Sequence, residues 1–192
     1  MRIQMMRAVG AILLLAIAAS IAASQPPPLR VVSRVDLEKY SGKWYEIARL
    51  PNNFQSRCGS DVVAHYTTRS DGRLNVINQC RKPDGQIVQA RGILRKAGDQ
   101  KNNAALQVRF APAILSFLPN VWGDYWIIGI GPDYTWSVVG VPDRRYLWIL
   151  SRTPSMSASS YEQALEIGKG NGFDTSALVK TPQRIEERRT RN

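Results

Sequence analysis

Between Gly42 and Arg152 the chain repeats one pattern, a short run in which apolar and polar side chains alternate, followed by a turn signal. The runs are Gly42 to Arg49, Asp61 to Thr68, Leu74 to Arg81, Ile87 to Arg95, Ala104 to Phe110, Asp124 to Ile130, Thr135 to Val141 and Tyr146 to Arg152. Asp71-Gly72 and Asp84-Gly85 are hairpin turns of the Asp-Gly kind, and Gly131-Pro132-Asp133 and Pro142-Asp143-Arg144 separate the later runs. Period-two alternation makes each run a strand with one face toward a core. Eight such strands, mostly consecutive and joined by short turns, suit an all-β fold, an eight-stranded antiparallel up-and-down β-barrel. A barrel has no exposed edge, and its interior is wide enough for one small ligand. A two-sheet sandwich satisfies the same pattern.

Two stretches depart from the alternation. The segment from Phe110 to Gly123 is apolar but contains Pro112 and Pro119, so it is expected to be a hydrophobic loop rather than a central strand. After Pro154, Ser157 is placed to cap a helix through Ser159, Tyr161, Ala164, Leu165 and Ile167, ending near Gly168 to Gly172. Its apolar stripe is expected to pack on the outside of the barrel.

The ends of the chain read differently. Arg2 and Arg7, an apolar run from Ala8 to Ala19 and small residues at Ser20, Ala22 and Ser24 have the layout of a secretory signal peptide over residues 1–24. A Pro-rich leader over 25–34 and one domain over 35–182 follow, and the charged tail 183–192 is expected to be disordered. Removing residues 1–24 lowers the formal charge from +11 to about +9, still basic enough to favour anionic surfaces. No cysteine lies near the cleavage region, so the expected product is exported, periplasmic or secreted, without a lipid anchor. The two cysteines, Cys58 and Cys80, are expected to pair in an oxidising compartment. They lack the His and Cys neighbours of a zinc site, and no metal or other cofactor is expected.

Gly42-Lys43-Trp44-Tyr45, Pro132-Asp133-Tyr134 and the arginine of Leu147-Trp148-Ile149-Leu150-Ser151-Arg152 resemble the three signature regions of the lipocalins. The longer strings Trp44 to Arg49 and Tyr146 to Pro154 are similar to the bacterial lipocalin group, which includes plant temperature-induced lipocalins and, more distantly, apolipoprotein D. The resemblance implies an eight-stranded calyx followed by a helix, holding hydrophobic ligands such as fatty acids or lysophospholipids. It also implies a role in lipid storage, transport or membrane maintenance. Many bacterial members carry a lipidated N-terminal cysteine, and this sequence departs from that pattern.

Alternation puts Val62, Ala64 and Tyr66 on one face of the second strand and Leu74, Val76 and Asn78 on one face of the third. Tyr66, Asn78 and Trp148 fall at positions that resemble ligand-contacting positions in apolipoprotein D. Simple core filling is the competing role for all three. Gly42, Trp44 and Arg152 are expected to be structural, the guanidinium lying over the indole to join the first strand to the last. Glu46 shares a face with Trp44 and Ala48, and a buried carboxylate there needs an arginine or a tyrosine hydroxyl, unless a bulge turns it outward. Ile114, Leu115, Phe117, Leu118 and Trp122 belong to the apolar loop, which is expected to cap the calyx, to dip into an anionic membrane, or to form a dimer contact.

His65 alternates away from the inferred pocket, and no nucleophile elbow or phosphate-binding glycine loop accompanies the chain's serine, aspartate and histidine. The positive charge comes without an aromatic-basic motif for nucleic acid. These features point to reversible binding of a lipophilic small molecule by a monomer or dimer, without chemistry. A lipid-modifying enzyme on the same fold and a partner-binding barrel with a dry interior are the alternatives.

Overall fold

The computed structural model describes residues 27–98, 102–115, 118 and 121–184. Residues 1–24, expected to be a signal peptide, Phe117 and tail residues 185–192 lie outside the described residues. A short helix α1 (Leu37–Tyr40) precedes β1 (Gly42–Arg49), β2 (Ser60–Thr68), β3 (Leu74–Arg81), β4 (Ile87–Lys96), β5 (Ala105–Arg109), β6 (Gly123–Ile130), β7 (Trp136–Gly140) and β8 (Leu147–Ser151). Helix α2 (Ala158–Gly170) and a two-residue strand β9 (Val179–Lys180) follow. Strands β2 to β8 pair in chain order, β8 pairs with β1, and β1 returns to β2, so the antiparallel sheet closes into a barrel.

The barrel wall divides two apolar clusters. Inside lie Trp44, Tyr66, Leu74, Val76, Leu94, Leu106, Ile127 and Leu150. Outside, Ala48, Trp136, Val138, Leu147 and Ile149 meet Ala164 of α2 and Phe173 just beyond it. This second cluster explains why β7 is buried at every position, whereas an open strand alternates. Ser157 caps α2, its hydroxyl accepting from Ser160 N at 3.2 Å.

One end of the barrel is sealed by the glycine, tryptophan and arginine of the sequence signature. The Arg152 guanidinium lies 3.8 Å from the Trp44 ring centroid and donates to the carbonyls of Lys43 (3.0 Å), Tyr134 (3.2 Å) and Lys39. Trp44 in turn donates its indole N–H to the Tyr40 carbonyl at 2.7 Å, which fixes α1 as the plug of this end. Gly42 has φ +96°, and a Cβ there would stand 3.2 Å from Arg152 Nη1. The glycine is therefore required both for the bend into β1 and for the approach of the arginine.

Two features depart from plain alternation. Glu46 pairs with Leu150 and Ala48 with the adjacent Ile149, so Ile47 is an extra residue in β1, a bulge. Trp44 and Glu46 face inward as expected, but Ala48 does not join them. The bulge turns it outward into the cluster under α2 and brings Arg49 opposite Trp148. The second feature is β9, which the alternation did not reveal. β1 pairs with β2 only from Gly42 to Tyr45, and the segment after α2 fills the seam above that point. Thr181 N donates to Ile47 O and Asp61 N to Pro182 O, both at 2.9 Å. The Gln183 amide donates to Glu46 O (2.8 Å) and Val62 O (2.9 Å), bridging strands that no longer bond each other.

At the other terminus, Leu29 is buried in the outer cluster and Val32 N donates to Ile127 O at 3.0 Å. Arg144, in the β7–β8 loop, donates to the carbonyls of Asn171, Pro142 and Pro27, so Pro27 lies beside that loop.

Candidate ligand-binding site

The end opposite α1 is open. A cavity of about 730 Å3 runs into the barrel from the β1–β2, β5–β6 and β7–β8 loops, within the size range of small-molecule sites. Its wall is mostly apolar: Val62, Ala64, Val76, Ala90, Leu94, Val108 and Leu150 face it from the strands. Tyr66, Asn78 and Trp148, singled out from sequence, all line it, as do Val62, Ala64 and Val76. Trp122 lines it too, with the guanidinium of Arg95 at 3.9 Å and that of Arg109 at 5.1 Å from its ring centroid. Ile114, Leu115 and Leu118 stay on the loop surface, and none of them lines the cavity. His65 is exposed on the outer face of β2.

The floor is made of phenols. Tyr125 OH lies 2.8 Å from both Tyr66 OH and Tyr40 OH, and Tyr40 OH lies 3.4 Å from the Ser137 hydroxyl, which donates to Gly129 O at 3.2 Å. Burial raises the pKa of Tyr40 to about 12 and raises those of Tyr66 and Tyr125 as well. The floor is thus neutral at ordinary pH and polar only through hydroxyl groups. Higher on the wall, Asn78 stands opposite Ala64 on one side and Ala90 on the other. Its buried Oδ1 has no hydrogen-bond partner.

Among the described residues Glu46 is the buried carboxylate of the wall, and its charge is met on the spot. Oε1 accepts from Arg49 Nη1 at 3.0 Å and from the Thr181 hydroxyl, and Oε2 accepts from Gln55 Nε2 at 2.6 Å. The bulge at Ile47 makes the first of these contacts reachable, since strict alternation would put residues three apart on opposite faces. An arginine partner was one of the arrangements open from sequence.

The same network holds the mouth. Gln55 Oε1 accepts from Trp148 Nε1 (3.0 Å) and Asn52 Nδ2 (2.8 Å), so one side chain ties the β1–β2 loop to the cavity-lining tryptophan and to Glu46. Phe54 packs edge-on against Tyr146 with ring centroids 5.1 Å apart, and lies 6.0 Å from Trp148. The Cys58–Cys80 disulfide anchors the end of this loop to β3. Across the mouth, Phe110 lies over Gly92, where a Cβ would stand 2.8 Å from its ring. Tyr40, Tyr125, Gln55 and Phe54 were not singled out from sequence. Tyr125 carries the one usable signal, a phenol in the alternating run that begins at Asp124.

The profile of the lipocalin-like domain matches residues 35–183, most of the chain. The chain belongs to the lipocalin family. Temperature-induced lipocalin-1 of Arabidopsis thaliana is 42% identical over 156 residues, 81% of this lipocalin and 83% of the plant protein. Outer membrane lipoprotein Blc of Escherichia coli K12 is 39% identical over 167 residues, 85% and 89% of the two chains. Among solved structures, insecticyanin from the tobacco hornworm Manduca sexta superposes with a TM-score of 0.64 at 22% identity, covering 85% of this lipocalin and 87% of that chain, a likeness of fold. Lipocalins are in general binding or transport proteins, and the barrel is of the kind that holds a small hydrophobic ligand. Among the described residues no helix is long and apolar enough to cross a membrane.

Proposed function

We propose that the protein is an exported lipocalin that binds a lysophospholipid or fatty acid reversibly, for lipid storage, transport or membrane maintenance, in the periplasm or outside the cell. The observation that carries this reading is the cavity's division of chemistry. The walls offer apolar surface to an acyl chain, at about 0.8 kcal/mol for each methylene buried. Among the described residues that line the cavity, the buried charged side chain is Glu46, already paired with Arg49. The cation among those lining residues is Arg145, 70% exposed, so the reading keeps an ionised headgroup at the mouth beside it.

Both cysteines of the sequence are joined in the disulfide, which supports export. Contact of the apolar loop with an anionic membrane belongs to the same reading, since a carrier of acyl chains has to collect them from a bilayer.

Native mass spectrometry of the protein purified from its own host, with extraction of what it holds, tests the proposal. The expected result is a bound lipid with a single acyl chain. An empty barrel that also fails to bind a fluorescent fatty acid overturns it.

A further inference from the structure

The phenols of the floor are ordered by the proton each one carries. Tyr66, Tyr125, Tyr40 and Ser137 form a line of hydroxyl groups, and the line ends on a backbone carbonyl, Gly129 O. A carbonyl accepts and never donates, so the Ser137 proton goes to Gly129. With that proton used, Ser137 Oγ can only accept from Tyr40 across 3.4 Å. The constraint passes outward along the line. Tyr40, having given its proton to Ser137, accepts from Tyr125 at 2.8 Å, and Tyr125 in turn accepts from Tyr66 at 2.8 Å. None of the phenols escapes by ionising, because burial raises all three pKa values.

The free end of the line belongs to the cavity. Tyr66 and Tyr125 line it, whereas Tyr40 and Ser137 do not. Tyr66 gives its proton to Tyr125, and among the described residues its oxygen receives none. The floor therefore presents an acceptor and no donor, although every side chain in it is a hydroxyl. Reversing the line to offer a proton would take the Ser137 donor away from Gly129 O, so the bias is built into the fold. A methyl chain end that displaces water from Tyr66 leaves this oxygen without a donor, and a ligand oxygen without a proton meets it lone pair to lone pair. A hydroxyl avoids both penalties.

We infer that the floor is a specificity subsite for a hydrogen-bond donor, and that the calyx selects single-chain lipids carrying a hydroxyl at the buried end of the chain, which donates to Tyr66 Oη. This rests on the ligand reading above, in which the charged end of the lipid stays at the mouth and the chain runs inward. Tyr66 is then a ligand contact. Ser137, which does not line the cavity, is a positioning residue that sets the direction of the protons.

Three probes competing with a fluorescent fatty acid for the full chain test this: palmitic acid, ω-hydroxypalmitic acid, and the ω-methoxy counterpart, which keeps the oxygen and lacks the proton. The parent protein is expected to bind the hydroxy acid at least as tightly as palmitic acid and roughly tenfold more tightly than the methoxy acid. Tyr66→Phe removes the acceptor and should shrink that preference. Ser137→Ala frees the line to reverse. Tyr40, left without Ser137, then donates to Tyr125, Tyr125 to Tyr66 and Tyr66 to the ligand, so the methoxy acid should gain several-fold on the hydroxy acid. A merely structural role for Ser137 would lower stability without moving that ratio. Equal affinities of the parent for the hydroxy and methoxy acids, or a preference that survives both variants, overturn the inference while binding of palmitic acid keeps the ligand reading standing. Binding of none of the three acids sinks that reading, and the inference with it.

Discussion

Arg152 illustrates how much one side chain does at the closed end. Its guanidinium covers the Trp44 indole and donates to three backbone carbonyls from three separate segments. Arg152→Ala removes a cation–π contact and charge-assisted hydrogen bonds, a loss of about 2–4 kcal/mol. A melting temperature lower by several degrees is expected, with little change in affinity for a fluorescent fatty acid, because Arg152 does not line the cavity. Equal melting temperatures would remove Arg152 from its structural role. Asn78 behaves in the opposite way. Asn78→Leu deletes an unpaired buried carbonyl, so apo-protein stability is expected to hold or rise. Urea unfolding of both proteins at neutral pH checks this, and a lower midpoint for the variant would count against it. These two residues were legible in the sequence for different reasons: Asn78 sits in β3, where period two fixes its face, whereas Arg152, just past the end of β8, was read from its place in the third signature region. Glu46 was legible only by half, because its facing follows from alternation but its arginine partner depends on the bulge one residue later.

At the scale of elements, the β1–β2 loop is where sequence reasoning had least to hold. Phe54 and Gln55 lie in a stretch with no periodicity, and nothing local to them says that one packs on Tyr146 and the other spans Trp148 and Glu46. Strand positions inherit their neighbours from a repeating register, whereas a loop side chain finds its partners only after the barrel has closed. The disulfide was the exception, readable because two cysteines in an exported chain have one pairing available. The loop is therefore held twice, covalently at Cys58 and by hydrogen bonds at Gln55. Gln55→Ala leaves Glu46 Oε2 and Trp148 Nε1 without these partners, at a cost of about 1–3 kcal/mol charged to the closed loop. Ligand dissociation is expected to speed up by roughly tenfold, read by stopped-flow displacement of a fluorescent fatty acid. With the disulfide intact, the fold itself should persist. An unchanged off-rate would mean that Phe54 and the disulfide hold the mouth without help from Gln55. Reduction of the disulfide removes the second hold and an unfolded-state constraint worth on the order of 3 kcal/mol for a loop of this length.

For the whole molecule, closure is a cooperative property of segments far apart in sequence. The barrel is complete only because the chain after α2 returns to fill the seam between β1 and β2, and two residues of strand with a glutamine bridge gave no pattern long enough to read in advance. The phenol floor is closed by distance in the same way. It joins α1, β2, β6 and β7 through Tyr40, Tyr66, Tyr125 and Ser137, and it can exist only in the folded chain. That makes alkaline pH a probe of the fold as a whole. A phenol whose pKa is raised by folding keeps its proton in the native state after the unfolded chain has lost it. The stability it contributes is fully present below about pH 10 and is lost as pH rises toward the native value. For Tyr40, raised from 10.0 to about 12, the loss amounts to about 2–3 kcal/mol across that window. Tyr66 and Tyr125, shifted in the same direction, deepen it. Urea unfolding at about pH 9 and about pH 11 should therefore show a marked drop in midpoint at the higher pH. Tyrosinate absorbance should rise in two stages, with the buried phenols ionising only as the protein unfolds. Tyr66→Phe removes one raised phenol, so the drop between the two pH values should be smaller in that variant even though its stability at neutral pH is lower. A drop of the same size would mean that Tyr66 ionises without opening the barrel.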